Sequence, residues 1–127
     1  MGNYSKQKVE IIKIIEQMNN IPNAEEIYLK VKKKDSKISR STVYRNLIRF
    51  VNSGVLIQIP IINEPDRYFY NKSGKDYGFI ICQKCRKISE FVCNFDISDV
   101  EKNILYQTGT SILKKEMLIK GICNECR

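Results

Sequence analysis

The chain has 127 residues, of which 43 % are apolar and 9 % aromatic, enough for a packed core and too many for wholesale disorder. Its net charge of +8 suits a polyanionic partner without being specific for one. The sequence contains no histidine, the commonest general base and the commonest metal ligand. No apolar run approaches the roughly 18 residues of a membrane span. The N-terminus leads into a charged amphipathic pattern and not into a signal-peptide core, so a cytoplasmic location is expected.

The first two predicted helices are amphipathic. Ser5 is expected to cap the first, which runs to about Asn19. Asn23 begins the second helix, with Glu26 in capping-box spacing, and a run of lysines ends it. In the first helix, the apolar residues predicted to be buried are Ile11, Ile14, Ile15 and Met18, with Val9 and Ile12 widening this stripe. In the second helix, they are Ala24, Ile27, Tyr28 and Val31.

A third helix, predicted from Ser39 to Asn52, has the most informative pattern. Ser39 is a good N-cap, and Gly54 can end the helix in a left-handed conformation. One side carries the apolar residues Val43, Leu47, Phe50 and Val51, and the other carries Ser41, Arg45, Arg49 and Asn52, with Thr42 and Tyr44 at the edges. Such polar groups pair with phosphates and base edges in a DNA major groove, although an ordinary solvated helix face has a similar composition.

The segment after Gly54 is predicted to form a β-hairpin. Val55–Ile62 reads as a strand that Pro60 favours at a sheet edge, residues 63–66 have turn chemistry, and Arg67–Tyr70 returns as a second strand. Three helices followed by a hairpin constitute a winged helix-turn-helix domain, expected over residues 1–71. A polar hinge is predicted at residues 72–76.

Residues 77–127 are predicted to form a small second domain, which makes the whole chain α+β. The expected elements are a strand at Tyr77–Ile81, a strand at Lys87–Val92, a helix at Ser98–Gln107 and a third strand within residues 112–122. The helix should direct Val100, Ile104 and Leu105 inward. A domain of about 50 residues rarely has enough core to be stable alone, so it needs a staple or a partner.

Two Cys-x-x-Cys pairs supply a candidate staple. Cys82 with Cys85, and Cys123 with Cys126, each present two thiolates from one turn. Together they predict one structural Zn²⁺ per chain, in a closed four-sulfur site without an open position. Disulfides and a redox Cys-x-x-Cys motif are the alternatives. The fifth cysteine, Cys93, has no such mate, and it is either a small buried residue or a reactive thiol.

Several segments in order resemble the ferric uptake regulator (Fur) superfamily. They are Asn23–Tyr28, Ile38–Leu47, Gly54–Leu56, Arg67–Tyr68 and the two Cys-x-x-Cys pairs. The resemblance implies a winged-helix DNA-binding domain and a C-terminal dimerisation domain, acting as a homodimer on palindromic promoter sites in double-stranded DNA. It further implies that Tyr44 and Arg45 read the major groove. Phosphate contacts are predicted for Arg40, Ser41, Thr42 and Arg49.

The sequence departs from the family at the regulatory metal site, where members use mostly histidines with some carboxylates. The positions implied by the resemblance are here Ile21, Phe69, Tyr77, Phe79, Glu90, Lys114 and Leu118. One glutamate among such groups cannot bind a transition metal selectively. A remodelled site built from Glu90, Asp96, Asp99 and Tyr77 is the alternative.

The leading hypothesis is therefore a Fur-like transcriptional regulator that acts as a repressor, with structural zinc but no functional regulatory metal site. A redox-responsive regulator that uses Cys93 or the zinc thiolates is the second hypothesis. A module that forms heterodimers with a metal-responsive relative is the third. An enzyme is not expected, since the sequence lacks a histidine base, a nucleophile triad, a phosphate-binding glycine loop and an open metal site.

Overall fold

The protein, described by a computed structural model, divides into two compact units, Met1–Gly74 and Lys75–Arg127. The structure describes residues 2–93, 96–113 and 115–127. The division falls within the residues predicted as a hinge. None of the helices in these described residues is long and apolar enough to cross a membrane.

Three α-helices form most of the first unit: α1 at Gly2–Gln17, α2 at Ala24–Lys34 and α3 at Arg40–Asn52. The predicted cap at Ser5 is wrong, because the backbone is already helical from Gly2. The first helix also ends two residues earlier than predicted. There the amide of Met18 donates to the carbonyl of Ile15, a tighter turn than the α-helix allows.

The predicted caps of the next two helices are confirmed. Asn23 and Glu26 form a complete capping box, with bonds of 2.8 and 3.0 Å between side chain and backbone. The Ser39 hydroxyl accepts from the amide of Thr42 at 3.2 Å. Gly54 follows α3 with φ +84°, the left-handed conformation predicted for it. Local sequence therefore fixes where α2 and α3 begin and where α3 ends.

The core of the first unit is the set of predicted stripes, packed against one another. Its fully buried members include Ile11, Ile27, Val43 and Leu47, and Ile12, Met18 and Val51 pack at its margin. Val9 is 54 % exposed, so its predicted place in the stripe is wrong. Asn46 is buried, which the sequence pattern did not indicate, and its Nδ2 donates to the carbonyl of Thr42 at 3.0 Å.

A two-stranded antiparallel sheet completes the first unit, with β1 at Leu56–Ile61 and β2 at Glu64–Tyr70. The turn is Ile62–Asn63 and not residues 63–66, because Asn63 adopts φ +63° and reverses the chain within two residues. Pro60 and Pro65 are tolerated within the strands since both strands are sheet edges, and the register shifts between Ile59 and Ile61. The winged helix-turn-helix arrangement is thus confirmed.

The second unit is a three-stranded sheet with one helix. Its elements are β3 at Tyr77–Cys82, β4 at Ile88–Val92, α4 at Ser98–Thr108 and β5 at Leu118–Gly121. The strand order is β4-β3-β5, with β3 antiparallel to β4 and parallel to β5. The ring of Phe91 lies where a Cβ on Gly78 would project, so any other residue at this strand position would displace that ring.

The prediction that the apolar side of α4 faces the interior is wrong within a single chain. Val100 is 53 % exposed, Leu105 is 52 % exposed, and no residue of the helix is buried. The periodicity is that of a helix with one apolar face, but no segment among the described residues covers this face. The capping is also weak at the start, since Ile97 makes no side-chain cap bond, whereas Gly109 ends the helix in a left-handed conformation.

Candidate nucleic-acid interface and metal centre

The outward face of α3 is polar except for Ile48, which is 59 % exposed, and it rests on a buried apolar face of the same helix. Arg45 and Arg49 are exposed, and Tyr44 is 39 % exposed, while Val43 and Leu47 on the reverse side are at most 1 % exposed. Because the buried side anchors the helix in the core, the outward side chains project from a rigid element. Such a helix is suited to enter a groove with little backbone adjustment.

Hydroxyl groups cluster at the N-terminus of α3. Ser39 Oγ lies 3.1 Å from Ser41 Oγ and 2.9 Å from Thr42 Oγ1, and Arg45 Nη2 donates to Thr42 Oγ1 at 3.5 Å. The first turn of a helix also presents unpaired amides and a partial positive charge. This end of α3 therefore offers several neutral donors and one cation to a phosphate oxygen.

A carboxylate on α2 contacts this surface, and sequence reasoning missed it. Glu25 accepts from Arg40 Nε at 3.1 Å and from Arg40 Nη2 at 2.8 Å, and the Tyr44 hydroxyl donates to it at 3.3 Å. The hydrogen bonds from Arg40 hold the pKa of Glu25 below its ordinary value. Partial burial, followed by the charge of Glu25, raises the pKa of Tyr44. Fifteen residues separate Glu25 from Arg40, so no local pattern points to the contact.

The four predicted zinc cysteines are brought together. The sulfur atoms of Cys82, Cys85, Cys123 and Cys126 all lie within 4.8 Å of one another. The Sγ atoms of Cys85 and Cys123 are 3.8 Å apart. That is about the 3.8 Å edge of a tetrahedron with metal–sulfur bonds of about 2.3 Å. All five cysteines of the chain are free thiols. The donor set and its spacing fit a tetrahedral soft or borderline cation such as Zn²⁺.

Backbone amides prepare one thiol of this cluster for ligation. Cys82 Sγ accepts from the amides of Cys123 at 3.4 Å and Cys85 at 3.5 Å, and these bonds lower the pKa of Cys82 to about 6. Hydrogen bonding to Cys123 instead raises the pKa of Cys126 to about 12. Lys84 Nζ donates to the carbonyl of Cys126 at 3.3 Å and ties the two knuckles together.

Three of the positions that the resemblance assigns to a regulatory metal lie side by side in the second sheet. Phe79 on β3 is opposite Glu90 on β4 and Leu118 on β5. Phe79 is buried and Glu90 is exposed. A fourth such position, Lys114, lies outside the described residues. Among the described residues, Glu90, Asp96 and Asp99 are not gathered into a cluster that could hold a metal, so the predicted alternative site is not formed by them.

The remaining predicted residues are Ile21 and Phe69 in the first unit and Tyr77 and Cys93 in the second. Ile21 is buried, and its carbonyl accepts from Arg67 Nη1 at 2.8 Å, which fixes the segment before α2 on β2. Phe69 on β2 and Tyr77 on β3 are half-buried. Cys93 is half-buried just after β4, and its amide donates to the carbonyl of Asp76. None of these four side chains belongs to the four-thiol cluster.

A winged-helix unit with a polar, cationic third helix, joined to a unit with a four-thiol cluster, has the architecture of a transcriptional regulator that binds DNA. Comparison with known families narrows this class. The chain belongs to the ferric uptake regulator family, because the model described as "Ferric uptake regulator family" matches residues 2–120. Members of this family are metal-responsive transcription regulators and not enzymes.

Individual relatives agree with this assignment. The peroxide-responsive repressor PerR of Staphylococcus epidermidis is 29 % identical over 121 residues, which cover 95 % of this chain and 79 % of the relative. The ferric uptake regulator of Francisella tularensis, solved with iron, is 28 % identical with a TM-score of 0.71, covering 94 % of this chain and 90 % of that one. A zinc uptake regulator solved with zinc and DNA shares the fold, with a TM-score of 0.76 at 16 % identity, covering 94 % and 80 % of the two chains.

Proposed function

We propose that this protein is a homodimeric repressor that binds palindromic promoter sites in the cytoplasm, with a structural Zn²⁺ and no functional regulatory metal site. The observation that carries the proposal is the outward face of α3, where Tyr44, Arg45 and Arg49 project from a helix that is anchored on its other side. The name of the PerR relative supports repression as the direction of regulation.

The proposed DNA contacts divide into base-reading and positioning groups. Tyr44 and Arg45 lie on the outward face, and a guanidinium in the major groove can donate two bonds to one guanine. Ser41, Thr42 and Arg49 would contact phosphates from the first turn and the outer edge of the helix. The two-residue wing turn is a poor phosphate ligand by comparison, because Ile62 and Asn63 carry no charge and Glu64 follows them.

Exposed apolar side chains support dimerisation through the second unit. This unit is the shorter of the two, yet among the described residues it carries most of the large apolar side chains that are exposed in the single chain. They are Ile80, Val92, Val100, Leu105, Tyr106, Leu113, Met117, Leu118, Ile119 and Ile122. Soluble proteins rarely leave so much apolar surface in water, and a second copy would cover it. A particle of twice the chain mass in light scattering is expected, whereas a monomer at micromolar concentration would contradict the dimer.

The replaced ligand positions support independence from a regulatory metal. Phe79 is 4 % exposed and Ile21 is 7 % exposed, so both side chains serve the packed interior. Burial of a large apolar side chain contributes about 1.5–3 kcal/mol. A metal can regulate a protein only if it binds one arrangement of that protein more tightly than another. Glu90 is one exposed carboxylate between apolar neighbours, so it supplies little metal affinity in any arrangement.

A binding selection followed by substitution tests the DNA-binding proposal. Random 30-base-pair duplexes would be enriched on the zinc-loaded protein, and affinity measured for the selected duplex. Arg45→Ala should cost about 1–3 kcal/mol on this duplex, because a bidentate base contact is lost. Lys102→Ala, which removes an exposed cation from α4, is the matched control and should bind as the parent does. Equal binding by the Arg45 variant and the parent would refute the groove assignment.

The same duplex tests the metal proposal. Zinc-loaded protein would be titrated with the duplex in chelator too weak to strip the four thiolates, and then with micromolar Fe²⁺ or Mn²⁺. Affinity should change by less than about threefold, since no regulatory shell exists to favour one arrangement. A gain of about tenfold or more, which is about 1.4 kcal/mol, would reveal a regulatory site and contradict the proposal.

A further inference from the structure

Two residues of the proposed DNA-binding face are tied to one carboxylate on the neighbouring helix. Glu25 lies in the first turn of α2, and Arg40 and Tyr44 lie one helical turn apart on α3. Both oxygens of Glu25 are engaged, Oε1 by Arg40 Nη2 and Oε2 by Arg40 Nε and the Tyr44 hydroxyl. The carboxylate therefore bridges α2 to the outward edge of α3.

Arg40 is held on two sides. Its guanidinium group donates two hydrogen bonds to Glu25, of 3.1 and 2.8 Å, in a bidentate geometry. Its Cζ also lies 4.6 Å from the centre of the Tyr28 ring. Tyr28 is buried, so the ring against which the guanidinium packs is held in place. In the free protein, the charge of Arg40 is paired with that of Glu25, and both side chains are partly exposed. The sequence predicts a phosphate contact for Arg40, but this geometry favours a different role.

Tyr44 is constrained in a second way. A phenol has one hydrogen to donate, and a carboxylate can only accept, so the 3.3 Å bond to Glu25 uses that hydrogen. Toward a groove, Tyr44 then offers its ring and the lone pairs of its oxygen. These groups suit the methyl group of thymine or the amino group of adenine or cytosine, and they do not suit the keto oxygen of guanine.

We propose that Glu25 is a selectivity-determining positioning residue, which keeps Arg40 away from phosphates and fixes Tyr44 as a hydrogen-bond acceptor toward the bases. This inference rests on the proposed function, since it assumes that α3 enters the groove. Phosphate contacts raise affinity for every sequence alike, whereas base contacts discriminate. Keeping Arg40 from the phosphates therefore lowers sequence-independent binding. Orienting the Tyr44 hydroxyl strengthens the discrimination between DNA sequences.

Glu25→Gln tests the proposal, because it keeps the size of the side chain and removes its charge. Released from the ion pair, Arg40 can reach a phosphate. The slope of log affinity against log salt on a random-sequence duplex should steepen by about one for each protomer bound. The ratio of affinities for the selected and the random duplex should fall by about threefold or more. A repeated selection with the variant should tolerate guanine at the position that faces Tyr44.

Two further variants separate this role from general charge or fold effects. Glu26→Gln removes a charge from the neighbouring residue and keeps the capping box, because glutamine serves at that position too. It should leave the salt slope and the affinity ratio unchanged. In the parent protein, Arg40→Met should also leave the salt slope unchanged, since Arg40 makes no phosphate contact there. Combined with Glu25→Gln, it should restore the parental slope.

The outcomes distinguish this inference from the proposed function. If no duplex is enriched, or if Arg45→Ala binds as the parent does, the proposed function fails and the inference falls with it. If a duplex is enriched but Glu25→Gln leaves both slope and ratio unchanged, only the inference is overturned. A loss of about one slope unit per protomer in Arg40→Met alone would also overturn it, because Arg40 would then be a phosphate contact in the parent complex.

Discussion

Removal of the metal is expected to unfold the second unit and to leave the first unit folded. The reason is the size of the two cores. The first unit has a cluster of eleven buried apolar residues that extends over all three helices and β1. In the described residues of the second unit, the large buried side chains are Phe79, Ile81 and Ile88, and Cys82 is a proposed ligand.

Within a single chain, before any burial against a second copy is counted, the magnitudes favour the metal as the main stabilising contribution in the second unit. Three buried side chains contribute about 5–9 kcal/mol at about 1.5–3 kcal/mol each. Zinc bound by four thiolates contributes about 10–16 kcal/mol of folding free energy near neutral pH. Chelation should thus remove the larger contribution. The cluster also joins the turn after β3 to the turn after β5, so its loss frees the end of the parallel strand pair.

Hydrogen exchange read out by mass spectrometry measures both units at once. In strong chelator under reducing conditions, amides of β3 and β5 should lose protection, while amides of α3 keep theirs. Cys82→Ser should behave as the chelated protein and should hold less than about half an equivalent of zinc by elemental analysis. Cys93→Ser is the matched control, because it removes the one cysteine outside the cluster. Protection of β3 that persists without metal would refute the reasoning.

Two further outcomes are expected. Leu47→Ala should lower the free energy of unfolding of the first unit by about 2–5 kcal/mol in urea denaturation, because the side chain is 1 % exposed within the core. A loss below about 1 kcal/mol would contradict this packing. Arg40 holds the pKa of Glu25 below its ordinary 4.5, so the pair stabilises the fold above that pH, and this contribution is lost as pH falls through the lower folded pKa. In Glu25→Gln and in Arg40→Met, the melting temperature should therefore fall less as the pH is lowered than it does in the parent protein. An equal fall in the parent and both variants would show that the pair adds nothing to stability.

The parts of the fold that the sequence predicts well are those that local chemistry determines. The caps at Asn23 and Ser39 and the left-handed Gly54 depend on residues within four positions of one another, and all three are found. The buried stripes of α2 and α3 follow from periodicity for the same reason. The four cysteines were predictable as well, since their chemistry restricts their arrangement even across a gap of 37 residues.

The features that the sequence did not predict depend on contacts between distant segments or between chains. Glu25 meets Arg40 and Tyr44 across 15 and 19 residues, and nothing in the first turn of α2 indicates which neighbour it faces. The α4 stripe has the right period, but periodicity does not say whether the covering surface belongs to the same chain. The wing turn was placed too late because its proline and aspartate resemble turn residues, whereas the backbone of Asn63 makes the reversal.

Under the proposed loss of a regulatory site, the DNA-binding face persists because the residues that shape α3 are not the replaced ones, although Ile21 and Phe69 lie in the same unit. The caps, the core stripe and the Glu25 bridge that shape α3 all lie within the first unit, and none of them involves the replaced positions. Phe79 and Ile21 are buried, so a histidine placed there would lose apolar packing and would bury a polar ring that needs hydrogen-bond partners. Under this proposal, restoring a metal response would require rebuilding the surroundings of these positions together with the ligands, whereas the α3 face would need no change.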